Sequence, residues 1–296
     1  MTRNSDDFQN WLLLGVLTLI WGTSYILIKK ALIVFDPIQV TAMRISLSFL
    51  ICLPLLPRAI RHIPRTKYIH AAVVGMLGTG IPIILFNISM TRVNSSVTAI
   101  INSLSPLFTV LTGFLFWHLR TNRIKFLGVM IGLLGAMILV FGKHGFSLEG
   151  DVLYAALPVI ATFCYGTTSH YVKQHFHAIN PLYVTVLSLA AVGPPAIVLL
   201  YFSHFSRMLG QPGVILSLTS IVLLAIFGTV VGWFIFYRLI QRKDALFATS
   251  VTYLIPIVAI GWGLLDGEGL AIYQLAGLAL ILAGVYFVSK VKPSPI

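Results

Sequence analysis

The chain has 296 residues, 58% hydrophobic and only 9% charged, against about 25% charged in soluble domains, which excludes a soluble globular fold. The net charge of +12 is not a nucleic-acid footprint, because the basic residues fall in short links between apolar runs and not on one face. Cys52 and Cys164 are each embedded in an apolar run, with no disulfide framework and no metal-ligand spacing, so neither a metal nor another cofactor is expected.

A polar head, residues 1–10, precedes ten apolar runs of about 20 residues, the length that crosses a ~30 Å hydrocarbon core as a helix. They lie near 11–33, 37–56, 68–90, 93–117, 124–142, 151–172, 181–202, 214–240, 245–265 and 271–288. The bilayer leaves only helices or a closed barrel, and long runs without alternation exclude the barrel. The expected fold is an all-α membrane protein of ten transmembrane helices. The head has no basic excess, and no small-residue cleavage site follows it, so the first run reads as a span and not a signal peptide.

Residues 78–118 recur without a gap as 228–268: Gly78-Thr79 matches Gly228-Thr229, and Phe86, Arg92, Leu104, Pro106 and Gly113 match Phe236, Arg242, Leu254, Pro256 and Gly263. Gly and Pro are placed for backbone reasons that random apolar sequence would not reproduce. The first two spans recur as well, with Gly22-Thr23, Lys29, Pro37 and Val40-Thr41 matching Gly166-Thr167, Lys173, Pro181 and Val184-Thr185. The chain therefore reads as two five-helix repeats, 11–142 and 151–290, joined near 143–150. One set of alternate links and ends carries 14 Lys/Arg and the other five, which places the first set, and both termini, in the cytoplasm. Five spans per repeat invert the second copy relative to the first, an architecture of many secondary transporters.

In the fourth span Ser95, Thr98, Asn102, Ser105, Thr109 and Thr112 step by three or four and share one face, which must point into the protein. Two readings stand: interhelical hydrogen bonding and a substrate path. Pro106 and Pro256 remove backbone donors mid-span, freeing carbonyls for a ligand or merely kinking the helix. Tyr25 and Trp21 in the first span, and Trp233, Phe236 and Tyr237 in the eighth, fall near mid-span, where a polar atom on a ring needs a buried partner. Asn87 is the repeat partner of Tyr237, and Ser103 that of Tyr253. Arg44 is the one formal charge well inside a span, either a substrate contact or a tie between helices. No carboxylate lies mid-membrane, so a neutral, zwitterionic or anionic substrate is favoured over a cation. No G-x-x-x-x-G-K-[ST], H-E-x-x-H or G-x-S-x-G is present, which argues against an ATP-driven cycle and against an enzyme.

Trp21-Gly22-Thr23-Ser24-Tyr25 with Lys29, Pro37 and Arg44, the prolines 106 and 256, and Gly267-Glu268-Gly269-Leu270 followed by Gly277 and Gly284 together resemble the EamA-type permeases of the drug/metabolite transporter superfamily. The resemblance covers nearly the whole chain. In the ungapped repeat register His118 stands opposite Glu268, where the family usually has Glu in both copies. What the resemblance implies is a ten-helix permease with a central cavity, moving amino acids and other small metabolites, often outward. The expected function is a secondary transporter or facilitator for a small organic metabolite, working in a lipid bilayer and without a nucleic-acid partner. Tyr25, Asn87, Asn102, Ser105, Trp233, Tyr237 and Tyr253 are the expected cavity residues. Arg44 is the charge contact or helix tie, and His118 and Glu268 are candidates for proton transfer or gating. An importer or a sugar-phosphate or nucleotide-sugar exchanger of the same superfamily, or a membrane-embedded enzyme or scaffold, is the alternative. Short links suit a bacterial inner membrane, and a monomer is compatible with this reading.

Overall fold

A computed structural model describes residues 2–119, 123–141, 151–269 and 271–290. The expected joint at 143–150 lies outside the described residues, as do Arg120, Lys143, Glu149 and Lys292, which entered the charge reading. The described residues are helical apart from short turns, with no strand among them. Eight helices are long and apolar enough to cross a membrane: α1 (Asp7–Ala31), α2 (Pro37–His62), α3 (Arg65–Ser89), α4 (Ser95–Trp117), α6 (Val152–Phe176), α7 (Pro181–Phe202), α8 (Val214–Arg242) and α9 (Ala245–Leu265). Between them lies α5 (Arg123–Phe141), and α10 (Ile272–Lys290) closes the set; their apolar stretches are shorter. The architecture is a ten-helix membrane protein.

The helix starts follow local chemistry. Asp36 caps α2 through a reciprocal box: its side chain accepts from the Gln39 amide, and the Gln39 side chain accepts from the Asp36 amide. Pro37 and Pro181 occupy the first turns of α2 and α7, where a missing N–H costs nothing. Within the bundle α1 packs on α9, α4 on α6, α2 on α7 and α5 on α10.

The centre of the bundle is α4. Its hydrophobic window is 72% buried, against 39–50% for the other seven long spans, so the polar face has no lipid to meet. The helix is broken at Ser103-Leu104, just before Pro106. Pro106 cannot donate to the Asn102 carbonyl four residues back, and the Ser105 hydroxyl donates to it instead at 2.8 Å. Pro256 in α9 orphans the Thr252 carbonyl in the same way, and the Ser103 hydroxyl of α4 reaches across to donate at 2.8 Å. Both freed carbonyls are thus satisfied by serines, and the kinks serve shape. Thr98, Thr109 and Thr112 also donate to carbonyls of their own helix. Most of the stripe is internal hydrogen bonding; Asn102 and Ser105 are the members that also face a cavity.

Two π-helical stretches interrupt the spans, Met76–Gly80 in α3 and Leu224–Val231 in α8. They contain Gly78-Thr79 and Gly228-Thr229, the residues that recur in the sequence register. A π turn widens the helix locally and is frequent at functional sites.

Candidate functional site

Between α1, α2, α3, α4, α6, α8 and α9 lies a cavity of about 70 Å³. Ligand pockets for drug-sized molecules run to about 300–1,000 Å³, so the space as it stands is smaller than such a molecule needs. Nine of the lining residues precede positions 143–150 and six follow them. The walls are rings. Trp21 meets Trp233 at 5.4 Å and Phe236 at 5.2 Å; Tyr165 meets Trp233 at 5.6 Å and Phe86 at 5.9 Å; Tyr25 meets Phe86 at 6.1 Å. All are centroid separations within the range of favourable aromatic pairs.

Arg44 enters from α2. Its side chain is 7% exposed, and its Nε donates to the Thr229 hydroxyl at 2.8 Å. That hydroxyl in turn donates to the Leu224 carbonyl, a partner the π turn makes available. Ser48, one turn further along α2, ties the Arg44 carbonyl and the Ala225 carbonyl together. The arginine is therefore bolted to α8 through the π turn. A central arginine costs about 2.5–3.5 kcal/mol on insertion scales, and among the described residues no carboxylate pairs with it.

Of the expected cavity residues, Tyr25, Asn102, Ser105 and Trp233 line this space with Arg44. Asn102 is held twice: its Oδ1 accepts from Ser105, and its side chain meets the Tyr25 hydroxyl. Tyr237 lies one layer back, stacked on Trp233 at 5.3 Å and 29°. Asn87 points to α2, donating to the Thr41 hydroxyl at 2.9 Å. Tyr253 sits in the cluster formed by α4 with α5 and α10. Sequence reading did not place Tyr165 here, although a signal was present: in the register that matches Gly22 with Gly166, its partner is Trp21.

Glu268 is not in the cavity but closes one end of the bundle. Its Oε1 accepts from Lys29 Nζ at 2.9 Å, from the Ser95 hydroxyl at 2.8 Å and from the Ser95 amide at 3.3 Å. Its Oε2 accepts from the Ser96 hydroxyl at 2.7 Å and the Ser96 amide at 3.1 Å. Asp266 pairs with Lys29 at 2.7 Å and with Lys30. One carboxylate thus gathers the end of α1, the first turn of α4 and the turn after α9. The positive end of the α4 helix faces the same charge.

Burial alone would raise the Glu268 pKa, but hydrogen bonds from Lys29, Ser96 and Ser95 outweigh it and hold it at about 2. Hydrogen bonds from Lys29 and Lys30 lower Asp266 as well. A depressed carboxylate contributes stability that is present above its ordinary value near 4.5 and is lost as the pH falls through about 2. The melting-temperature difference between the wild type and Glu268→Gln is therefore expected to stay flat from about pH 5 to 8 and to shrink only below about 4.5. A difference that changes within the neutral range would contradict this assignment.

The opposite end is built differently. His118 is exposed in a left-handed conformation (φ 49°) that ends α4, whereas α9 ends with Gly267 at φ 81°. The His118 and Leu119 amides both reach the Gly113 carbonyl, and the Glu268 amide reaches the matching Gly263 carbonyl. A Cβ on Gly113 would meet His170 first and then Leu119, and one on Gly263 would meet Ser96 and then Glu268. Glu268 is thus buried among donors, whereas His118 and Leu119 are exposed. Ala245 and Leu246 stand where the register has Ser95 and Ser96. Lys173, the counterpart of Lys29, donates to the carbonyls of Ile240 and Lys243.

The family model described as "EamA-like transporter family" matches residues 9–141 and 152–290. An "Uncharacterized transporter" of Archaeoglobus fulgidus is 24% identical over 285 residues, 95% of this chain and 99% of that one. The "Uncharacterized inner membrane transporter YedA" of Escherichia coli K12 is 26% identical over 287 residues, covering 94% and 90%. A Salmonella typhimurium protein named "Probable amino-acid metabolite efflux pump" is 23% identical over 288 residues, covering 92% and 91%. A crystal structure with 15% identity superposes with a TM-score of 0.62 over 95% of this chain and 96% of that chain, a likeness of fold alone.

Proposed function

The chain belongs to the EamA-like transporter family, and from that premise we propose that it exports a small organic metabolite, an amino acid or related compound, by alternating access around the aromatic cavity. The observation that carries this reading is the cavity itself: both halves of the chain supply its walls, and it lies below an ion-paired closure at one end. The name of the Salmonella relative favours a metabolite of amino-acid type and outward movement.

The two halves are inverted repeats in this reading. Matched residues support it: the π turns fall at corresponding sites, Gly22 of α1 abuts Val258 of α9, and Gly166 of α6 abuts Phe108 of α4. The Lys/Arg excess puts both termini in the cytoplasm, and hence the Lys29–Glu268 closure at the outer face. Rocking of the halves would alternately open the two ends.

Purified protein in liposomes is expected to move labelled amino-acid-type metabolites down or against their gradients. Asn102→Ala, which frees Tyr25 and leaves Ser105 its backbone acceptor at residue 102, is expected to lower the rate by about tenfold, on the scale of one lost hydrogen bond. Cells overproducing the protein should tolerate toxic analogues of the substrate. Unchanged tolerance, with no solute moved in liposomes, would overturn the transport reading.

A further inference from the structure

We infer that the cavity recognises an organic monocarboxylate with an apolar or aromatic body, its carboxylate seated on the outer edge of the Arg44 guanidinium. This rests on the transport reading and names the substrate class of that same cavity. Three observations combine.

The first is the free face of the fork. Thr229 takes Nε, and among the described residues this is the guanidinium's one hydrogen bond. Its Nη2 lies beside Gly228, as does the Ser24 hydroxyl, and all three residues line the cavity. Two parallel N–H groups match the two oxygens of a carboxylate. The second is charge. Arg44 is the only ionisable group of fixed charge among the lining residues, and the other polar groups on the lining side chains are hydroxyls, an amide and indole N–H groups. A monoanion neutralises the site; a cationic amine would meet a like charge with no counter-ion. A phosphate ester, carrying nearly two charges, would leave one uncompensated. The third is shape. Trp21, Tyr25, Phe86, Tyr165, Trp233 and Phe236 surround the remaining space, so the body of the ligand meets ring faces and edges. No lining carboxylate is present for an α-ammonium group. A deaminated acid therefore binds at least as well as the amino acid of the same body.

The probes are 3-phenylpropionate, phenylalanine, 3-phenylpropionamide and phenethylamine, which share one ring. Binding is read from quenching of tryptophan emission in detergent, and movement is read separately in liposomes. Phenylpropionate is expected to bind at least as tightly as phenylalanine, about tenfold or more tighter than the amide, and the amine not measurably. Arg44→Met should abolish the preference of acid over amide. Thr229→Val keeps the arginine but releases its Nε, and should weaken acid binding several-fold; it serves if Arg44→Met does not fold. Equal binding of acid and amide, or tight binding of the amine, overturns the inference, as does unaltered acid binding in both variants. Failure of every probe to move in liposomes, with acid binding intact, tells against transport and leaves the carboxylate subsite standing. Movement of acid and amide at equal affinity does the reverse.

Discussion

Glu268→Ala is expected to release one end of the bundle and expose the cavity to solvent on that side. The Glu268 side chain is 5% exposed and accepts from five donors, whereas Lys29 is 35% exposed and keeps Asp266 after the change. Lys29 is left exposed and paired, so the cost lies in the Ser95 and Ser96 donors, which lose their acceptor at about 1–3 kcal/mol per buried group; with water entering at this end the total is about 3 kcal/mol. If that energy holds α1, α4 and α9 together at this end, its loss shifts the closed-to-open ratio on the order of a hundredfold. The readout is a cysteine at Thr252, which lines the cavity, in a background lacking Cys52 and Cys164. A membrane-impermeant maleimide added outside should label it about a hundredfold faster in the Glu268→Ala protein. Glu268→Gln, which can still accept from the serines, should fall between. An unchanged labelling rate would show that the ion pairs do not hold the closure.

The comparison of the two ends gives this latch its meaning. Where the register has Glu268, Ser95 and Ser96, the other copy has His118, Ala245 and Leu246. Lys173 there donates to carbonyls, and Lys243 pairs with Asp7. One end is thus fastened by a buried carboxylate with five donors, the other by an exposed ion pair and a helix-end lysine. In the orientation proposed above, the buried fastening faces outward. The resting equilibrium then favours the outwardly closed state, and a substrate entering from the cytoplasm must supply the energy that undoes it.

How much of this was legible in the sequence differs by element. The spans were, because a run of apolar residues has one reading in a bilayer, and the boundaries moved by only a few residues. The paired Gly and Pro positions were legible too, since backbone geometry demands those residue types. Arg44 stood out as the lone charge in mid-span. The π turns were not legible: no residue type encodes the extra residue, and Thr229 gains its role as the arginine's acceptor only through them. Nor was the Lys29–Glu268 pair, whose members are 239 residues apart. The ungapped register set Glu268 against His118, and it could not tell that one is buried among donors while the other is exposed. Periodicity identified the polar face of α4 and could not divide it. Ser103 and Ser105 serve the prolines' orphaned carbonyls, and Asn102 turns to the cavity. Asn87 and Tyr237 were chosen as repeat partners, yet one hydrogen-bonds to α2 and the other backs Trp233. Repeat symmetry relates positions in space and does not tell which of them face the hollow.

The crossings between the halves carry the second large effect. Gly22 and Gly166 are matched in the sequence, and each lies where one half's helix presses on the other's. A Cβ at Gly22 would meet the Val258 Cβ at 2.5 Å and its Cγ1 at 2.8 Å, whereas one at Gly166 would meet the backbone of Phe108 and Thr109 at 2.7–2.9 Å. The obstacle is a side chain in one case and main chain in the other. Overpacking costs about 1–3 kcal/mol, and main chain cannot yield by a rotamer change, so Gly166→Ala belongs at the upper end, about 3 kcal/mol. Gly22→Ala is expected to cost about 2 kcal/mol by itself, and Val258→Gly in the same chain, which removes both the Cβ and the Cγ1 in the way, should recover most of that relative to Val258→Gly alone. Phe108→Ala should recover nothing for Gly166→Ala, because the atoms in the way remain. Thermal melts of the two double-mutant cycles decide it: a coupling energy of about 1 kcal/mol or more is expected for the Gly22–Val258 pair, and one near zero for Gly166–Phe108. Because α6 crosses α4 beside Thr109, whose carbonyl already holds His170 at 2.6 Å, the Gly166→Ala helix has no slack to take up. Its transport rate should fall with its stability, while a rescued Gly22→Ala/Val258→Gly protein should move solute at close to the original rate.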